Sequence, residues 1–237
     1  MNRVETILGY HAATRHHFER YARSAGRMDW ANQPNPFRIY EGVAPLALPH
    51  PTVDPELTYD ALYAPARPAA HPLNSTTLGR LLALSMGLSA WKSAGGERWP
   101  LRINPSSGNL HPTECHLVLP PTDALPGGVF HYSPFYHALT RRADLPEAIW
   151  PQLEGHFGGK GFLVALSTIF WREAWKYGER AYRYCHLDVG HAVAAIALAA
   201  RLNGWRFSCI SGAGDAQIGT LLGFDRTEWH PLEVEEP

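Results

Sequence analysis

A single α+β domain is the prediction from this sequence, and three observations carry it. Strand-like and helix-like apolar patterns alternate along the chain without the regular rhythm of a doubly wound parallel sheet. The run Val189-Gly190-His191-Ala192-Val193-Ala194-Ala195-Ile196-Ala197-Leu198-Ala199-Ala200 is apolar on nearly every side, as in a helix through a core or a subunit interface. The 237 residues suit one domain, residues 1–237, able to bury roughly 70–75% of its unfolded surface.

Residues 6–25 read as a helix carrying Arg15, His16, His17 and Arg20. Nine prolines between Pro34 and Pro72 exclude a long regular helix there. Phe37, Tyr40, Tyr59 and Tyr63 make this stretch an ordered wrap, since a flexible linker would be Gly/Ser-rich and poor in aromatics. A helix starts at an Asn74 or Ser75 cap and buries Leu78, Leu81, Leu82 and Met86 at helical spacing. Strand patterns follow at 115–119, 129–132 and 162–168, and residues 170–178 read as a polar-aromatic turn. The next helix runs from Glu179 to about Asn203, with Glu179 and Arg183 as an i,i+4 pair and Gly204 as its terminator. A strand at 206–210, a Ser211-Gly212-Ala213-Gly214 loop and a helix from an Asp215 cap through Leu222 complete the order.

Composition excludes several classes. A net charge of −1 and a pI near 6.9 steer the chain neither to nucleic acid nor to an anionic membrane. Cys115, Cys185 and Cys209 are odd in number, widely spaced and lack a Cys-x-x-Cys pair, which fits a reducing compartment. The N-terminal residues lack the apolar stretch of a signal peptide, and no segment has the ~18 uninterrupted apolar residues of a membrane span. A cytoplasmic protein is the expectation. Thirteen histidines raise the question of metal, but His16-His17 and His186, Asp188 and His191 are the only clusters. Residues 186 and 191 lie about 140° apart around a helix, so no metal site is expected. His131, His137 and His156 read as surface or packing residues, and no dinucleotide or P-loop glycine motif is present.

Chemistry concentrates in Arg102-Ile103-Asn104-Pro105-Ser106-Ser107-Gly108-Asn109-Leu110-His111-Pro112. Prolines, a glycine and two asparagines fix a non-helical path, while Arg102, Ser106, Ser107 and Asn109 offer donors to a flat heterocycle. An ordinary surface turn is the competing reading. Lys176-Tyr177-Gly178 offers a cation beside a tunable hydroxyl, a pair suited to acid–base work, against the alternative of a solvated lysine and a packing tyrosine. Ser211-Gly212-Ala213-Gly214-Asp215 opens a helix with free backbone N–H groups, though most such turns only connect elements.

Asn104-Pro105-Ser106-Ser107-Gly108-Asn109-Leu110-His111-Pro112 resembles the Pro-Ser-Ser-x-Asn-x-Gln-Pro flavin loop of the FMN-dependent nitroreductase superfamily, with His111 where Gln or Tyr is commoner. With Arg102 ahead of it, the loop is most similar to that of the SagB/ThcOx-type dehydrogenases. The run 176–184 followed by Asp188-Val189-Gly190-His191 resembles the Lys-Tyr…Arg-x-Tyr-Arg…Gly-His segment of the same enzymes. The resemblance implies a nitroreductase-like α+β fold, a mostly antiparallel central sheet flanked by helices around a long buried helix. It also implies FMN between the subunits of a homodimer. Arg102, Pro105, Ser106, Ser107 and Asn109 would line the flavin, with Ser211 and Gly212 at the ring. Arg15, His16 and His17, similar to the Arg-His-Ser of classical nitroreductases, would stand at its ribityl-phosphate. Lys176 and Tyr177 would handle the proton in oxidising an azoline or another small or peptide-derived substrate. An NAD(P)H-dependent nitro or quinone reductase and a non-catalytic flavin-binding or dimerisation module are the alternatives. The ending at residues 233–237, where relatives usually continue into a terminal strand, raises the expectation of a shortened chain or half of a tandem protein.

Overall fold

Five antiparallel strands form the frame on which the helices are laid. A computed structural model of the chain describes residues 2–53, 57–123, 125–157 and 159–225. The terminal stretch 233–237 and the side chain of His156 lie outside the described residues. The strands are β1 (Leu46–Ala47), β2 (Leu88–Ala94), β3 (Glu97–Arg102), β4 (Thr113–Leu119), β5 (Gly128–Ser133), β6 (Ala138–Ala143) and β7 (Leu163–Thr168). The sheet order is β1-β6-β5-β4-β7, every pairing antiparallel, and β2 and β3 form a separate hairpin.

Strand β4 is buried along its whole length, and its side chains alternate between two covered faces. Cys115, Leu117 and Leu119 join Phe130, Tyr132 and Leu139 beneath α2 (Ser75–Ala83) and α5 (Ala181–Leu202). On the other face Val118 and Val129 meet Leu222 of α6 (Asp215–Leu222), with Trp150 of α3 (Ile149–Phe157) beside them. Helix α2 starts as its cap residue dictates. Asn74 Oδ1 accepts from Thr77 N at 3.0 Å, and Thr77 Oγ1 accepts from Asn74 N at 3.1 Å. The proline-rich wrap is strapped down at several points: Arg201 donates to the carbonyls of Ala64 and Ala66, and His71 N donates to Asn203 O. Gly204, at φ +68°, has no room for a side chain, because an added Cβ would stand 2.3 Å from Ala69 O of that wrap.

Several expectations are corrected. The first helix, α1 (Arg3–Thr14), starts at an Asn2 cap and stops well before residue 25. Polar side chains compete for the backbone there: Thr14 Oγ1 donates to Tyr10 O, and His16 Nδ1 accepts from Ala22 N. The stretch 170–178 is no turn. It forms α4 (Phe170–Tyr177), broken from α5 by Gly178 at φ +53° and a short 3-10 turn, Gly178–Arg180. Its burial of Arg172 and Glu173 depends on distant partners that the local pattern does not show. The strand at 206–210 is absent, since those residues are exposed and carry no ladder partner among the described residues. Gly214, whose N–H donates to Gln217 Oε1, occupies the cap position of α6 in place of Asp215.

The long helix α5 is also not buried all round. Ala181, Cys185, Asp188, Ala192, Ile196 and Ala199 face inward, while Leu187 and Leu198 remain 54% and 40% exposed on the opposite face. The stretch Phe170–Leu202 has the length and hydropathy of a membrane span, a test that the core helix of a soluble domain also passes. Here it is two helices joined by a turn, with a buried face against the sheet core.

Candidate functional site

Strand β3 delivers the chain into the loop 103–112, and three of its residues adopt left-handed backbone: Gly108 (φ +64°), Asn109 (φ +61°) and His111 (φ +50°). Two of these are not glycine, so their strain is held by bonds elsewhere. Asn109 Nδ2 donates to Pro100 O at 2.9 Å, and Asn109 Oδ1 faces His111 Nε2 at 2.8 Å. His111 N donates to Ser106 Oγ at 2.8 Å, and Arg172 donates to His111 O at 2.8 Å. From α5, Asp188 accepts from Ser107 N at 3.1 and 3.2 Å and from Ser107 Oγ at 3.2 Å.

His111 thus braces the loop. Burial first, then the charges of Arg102 and Arg172, pull its imidazole down to about 3, so it is neutral near pH 7. Because Asn109 Nδ2 is committed to Pro100, the bonding pattern assigns the ring proton to Nε2. Nδ1 is left buried without a partner.

Arg102, expected among the flavin-lining donors, is braced inside the protein and keeps one donor, Nε, without a partner among the described residues. Its guanidinium is buried and donates to the carbonyls of Thr113 and Pro36, tying the wrap to the loop. Pro105 is exposed at the front of the loop, and Ser106 is half-buried behind it.

Helix α4 brings the second sequence motif to the same place. A Cβ built on Gly108 would stand 2.7 Å from Tyr177 Oη and 3.0 Å from both Lys176 Cδ and Lys176 Nζ. Gly108 therefore serves two needs at once, a left-handed turn and contact with the Lys-Tyr pair. Lys176 Nζ makes no hydrogen bond or ion pair among the described residues and lies 5.6 Å from the Tyr177 ring centre. The Tyr177 ring packs at 4.4 Å against Tyr184 of α5. Burial, then the neighbouring Glu173 charge, raises its hydroxyl above the usual tyrosine range, which keeps it a hydrogen-bond donor at neutral pH.

Beneath the loop runs a buried ionic chain that the sequence reading missed. Arg172 contacts Glu114 Oε1 at 2.5 Å, and Glu114 Oε2 contacts His131 Nε2 at 2.7 Å. Burial would raise the Glu114 carboxyl, but the His131 bond and the charges of His131, Arg172 and Arg102 bring it down to about 2. An acid at the head of an apolar strand was the available signal. His131 and His137 are both buried, His137 accepting or donating to the Tyr132 hydroxyl at 2.8 Å. Glu173, also missed, is fully buried beside Asp188.

The other expected residues stay apart. Arg15 and His17 pair with each other at 3.4 Å, and His16 packs on Tyr21. Their segment is anchored to the α4–α5 junction, where Arg180 and Arg183 donate to Thr14. Ser211 and Gly212 are exposed and make no hydrogen bond among the described residues. No group of three metal-ligating side chains is found among the described residues.

An antiparallel sheet clasped by helices on both faces, with a serine-rich loop meeting a lysine–tyrosine pair at its edge, defines the class. The chain belongs to the nitroreductase family, whose model matches residues 77–232. It is 30% identical over 130 residues to the trifolitoxin-processing protein TfxB of Rhizobium leguminosarum bv. trifolii, covering 51% of this chain and 35% of that protein. It is 26% identical over 125 residues to the nitroreductase-like protein MJ1384 of Methanocaldococcus jannaschii, covering 50% of this chain and 62% of that one. The chain thus matches only part of each relative's length. A nitroreductase-like structure from Anabaena variabilis superposes with a TM-score of 0.72 at 29% identity, over 92% of this chain and 43% of that one. A chain of the E. coli microcin synthetase McbBCD complex with truncated pro-MccB17 shares the fold at a TM-score of 0.51 and 22% identity, over 77% and 73%.

Proposed function

We propose that this nitroreductase-family oxidoreductase binds FMN and dehydrogenates an azoline-like or peptide-derived substrate, in the manner of the SagB/ThcOx-type enzymes. The observation that carries the reading is the meeting of the flavin-type loop and the Lys176–Tyr177 pair at Gly108. The residues present fit such a group. Gly108 gives the loop a bare backbone face that any side chain would close, and Ser106 Oγ, which accepts from His111 N, carries a hydroxyl proton that can donate. Ser106, the 105–109 backbone and Lys176 would hold the ring, and Arg15 would supply a charged donor to the phosphate. His16, His17, Ser211 and Gly212 complete the proposed contacts.

The chemistry that a bound FMN supplies is two-electron oxidation or reduction by hydride transfer. Lys176, with its amine unpartnered, is placed to take the proton of the reacting C–H group. Tyr177 donates its hydroxyl hydrogen bond to the developing charge. Support for a peptide-derived substrate comes from the names of two relatives, one processing trifolitoxin and one from a microcin synthetase complex. MJ1384 favours the alternative of a nitro or quinone reductase.

A homodimer accompanies this reading. The outward face of α5, with Leu187 and Leu198, and the exposed Val4, Ile7 and Leu8 of α1 present apolar surface to a second copy. The free cysteines support a cytoplasmic setting. The test is reconstitution with FMN. A flavin absorbance spectrum that survives desalting, and azole formation from an azoline peptide with wild type but not Lys176→Ala, is the expected result. A protein that stays colourless refutes the reading, and turnover only of nitro compounds with NAD(P)H transfers it to the reductase alternative.

A further inference from the structure

Glu173 is a buried carboxyl at the site, 0% exposed, that makes no hydrogen bond or ion pair through either oxygen among the described residues. An ionised carboxylate in that position would be costly, so it either finds a cation or keeps its proton. The groups around it come from three elements. On α4 itself, Lys176 and Tyr177 follow at i+3 and i+4 and share its face, while Arg172 turns away to Glu114. From α5, Asp188 presents a like charge already satisfied by Ser107, Cys185 lies beside it, and Tyr184 packs on the Tyr177 ring. From the loop, the Ser106 hydroxyl is close enough to favour the charged form but makes no hydrogen bond to either oxygen.

We propose that Glu173 is the positioning residue of the Lys176–Tyr177 pair, a proton-bearing carboxyl whose ionisation decides where the lysine amine is held. Neutral, Glu173 leaves Lys176 Nζ at Gly108, where the loop needs it. Ionised, it draws the ammonium back along the α4 face and adds a negative charge behind the Tyr177 hydroxyl. Burial first, then the Asp188 charge, raises the Glu173 carboxyl to about 8, with Lys176 and Ser106 opposing. The switch therefore falls within the range where an enzyme of this kind works. This inference rests on the proposed role of Lys176 and Tyr177, but its test does not need flavin or substrate.

Infrared difference spectra of the purified full chain across pH 6 to 10 read the carboxyl directly. The expected result is a protonated-carboxyl carbonyl band that vanishes with a midpoint near pH 8 and is missing in Glu173→Gln. Asp188→Asn keeps an acceptor for Ser107 but removes the like charge, so the midpoint should move to lower pH. The chain has three lysines, Lys92, Lys160 and Lys176, so amine acylation followed by mass spectrometry gives the second measurement. Labelling of Lys176 relative to Lys92 should fall at least threefold as the band disappears, and stay flat in Glu173→Gln. No band in the wild type, an unmoved midpoint in Asp188→Asn, or the same labelling profile in wild type and Glu173→Gln overturns the inference. If the band and labelling behave as stated while FMN fails to bind, the proposed function falls and the Glu173–Lys176 coupling stands.

Discussion

Replacing Gly108 by alanine tests the central contact of the site, and a second glycine supplies its control. Gly95, in the β2–β3 turn, has φ +59° and nothing within 4 Å of an added Cβ. Gly108 has nearly the same φ, +64°, but its Cβ would meet Tyr177 Oη at 2.7 Å and Lys176 at 3.0 Å. Both alanines pay the left-handed backbone cost of about 1–2 kcal/mol. In a chain of this size that lowers Tm by about 2–4 °C per kcal/mol. The atoms struck in Gly108→Ala belong to two side chains and not to the backbone, so shifts of Lys176 and of the Tyr177 ring can relieve the clash with little further loss of stability. What they lose is position. Gly108→Ala and Gly95→Ala should therefore match in thermal stability to within about 0.5 kcal/mol, a spread typical of independent sites. Gly108→Ala alone should lose on the order of tenfold or more in turnover of the FMN-loaded protein, the result of misplaced proton-handling groups. Thermal melts and turnover of the two variants side by side decide it. Equal turnover in both would show that Lys176 and Tyr177 do not act from beside Gly108.

Arg172→Met should strand the buried Glu114 carboxylate and remove the Arg172 bond to His111 O, at a cost of about 3–5 kcal/mol read by urea unfolding. A loss below about 1 kcal/mol would show that His131 alone satisfies Glu114. Acid should destabilise the fold in two stages. His111 and His116 are each held down to about 3 against 6.5 unfolded, so their stability is present above pH 6.5 and is lost as pH falls toward 3. Glu114 adds a loss between 4.5 and about 2; a stability flat from pH 7 to 4 would refute the histidine assignment. Glu173 has the opposite sign: raised to about 8, it contributes stability below pH 4.5 that is lost as pH rises from 4.5 through 8, so Glu173→Gln should remove that loss between pH 4.5 and 8 in the same unfolding series. Finally, Ala194→Glu on the exposed face of α5 should turn the proposed dimer into a monomer by light scattering, and a wild type already monomeric near 26.4 kDa would refute the interface.

Apolar periodicity made α2 and strands β4, β5 and β7 legible, because their residues are buried by their own chemistry. Asn74 marked its helix start for the same local reason. The hairpin of β2 and β3 went unread although Gly95-Gly96 at positive φ is a recognised turn signal. Helix α4 was hidden because its buried residues are Arg172 and Glu173, and only a partner 58 positions away, Glu114, makes the burial of Arg172 tolerable. The site divides along the same line. Ser106, Ser107, Lys176 and Tyr177 stood out by residue type, and the structure brings loop and pair together. Arg102 and His111 stood out too, yet Arg102 donates to backbone carbonyls and His111 bonds Asn109, leaving Arg102 Nε and His111 Nδ1 without partners among the described residues. Asp188 stood in the family-like motif without a role and Glu173 in a stretch read as a turn, since nothing local reveals which side of a helix will meet a loop some 80 residues earlier.

Helix α5 fixes the gauge of the site. Asp188 grips the loop at Ser107, and Tyr184, one turn earlier, supports the ring of Tyr177. Four residues of helix rise about 6 Å, and that rise sets the offset between the two halves. If α5 shifts as a rigid rod, loop and tyrosine travel together and their separation is conserved. A single residue inserted or deleted between 184 and 188 would instead rotate one anchor by about 100° relative to the other. The site is thus tolerant of movement along its helix and intolerant of any change in the count of residues between its two anchors.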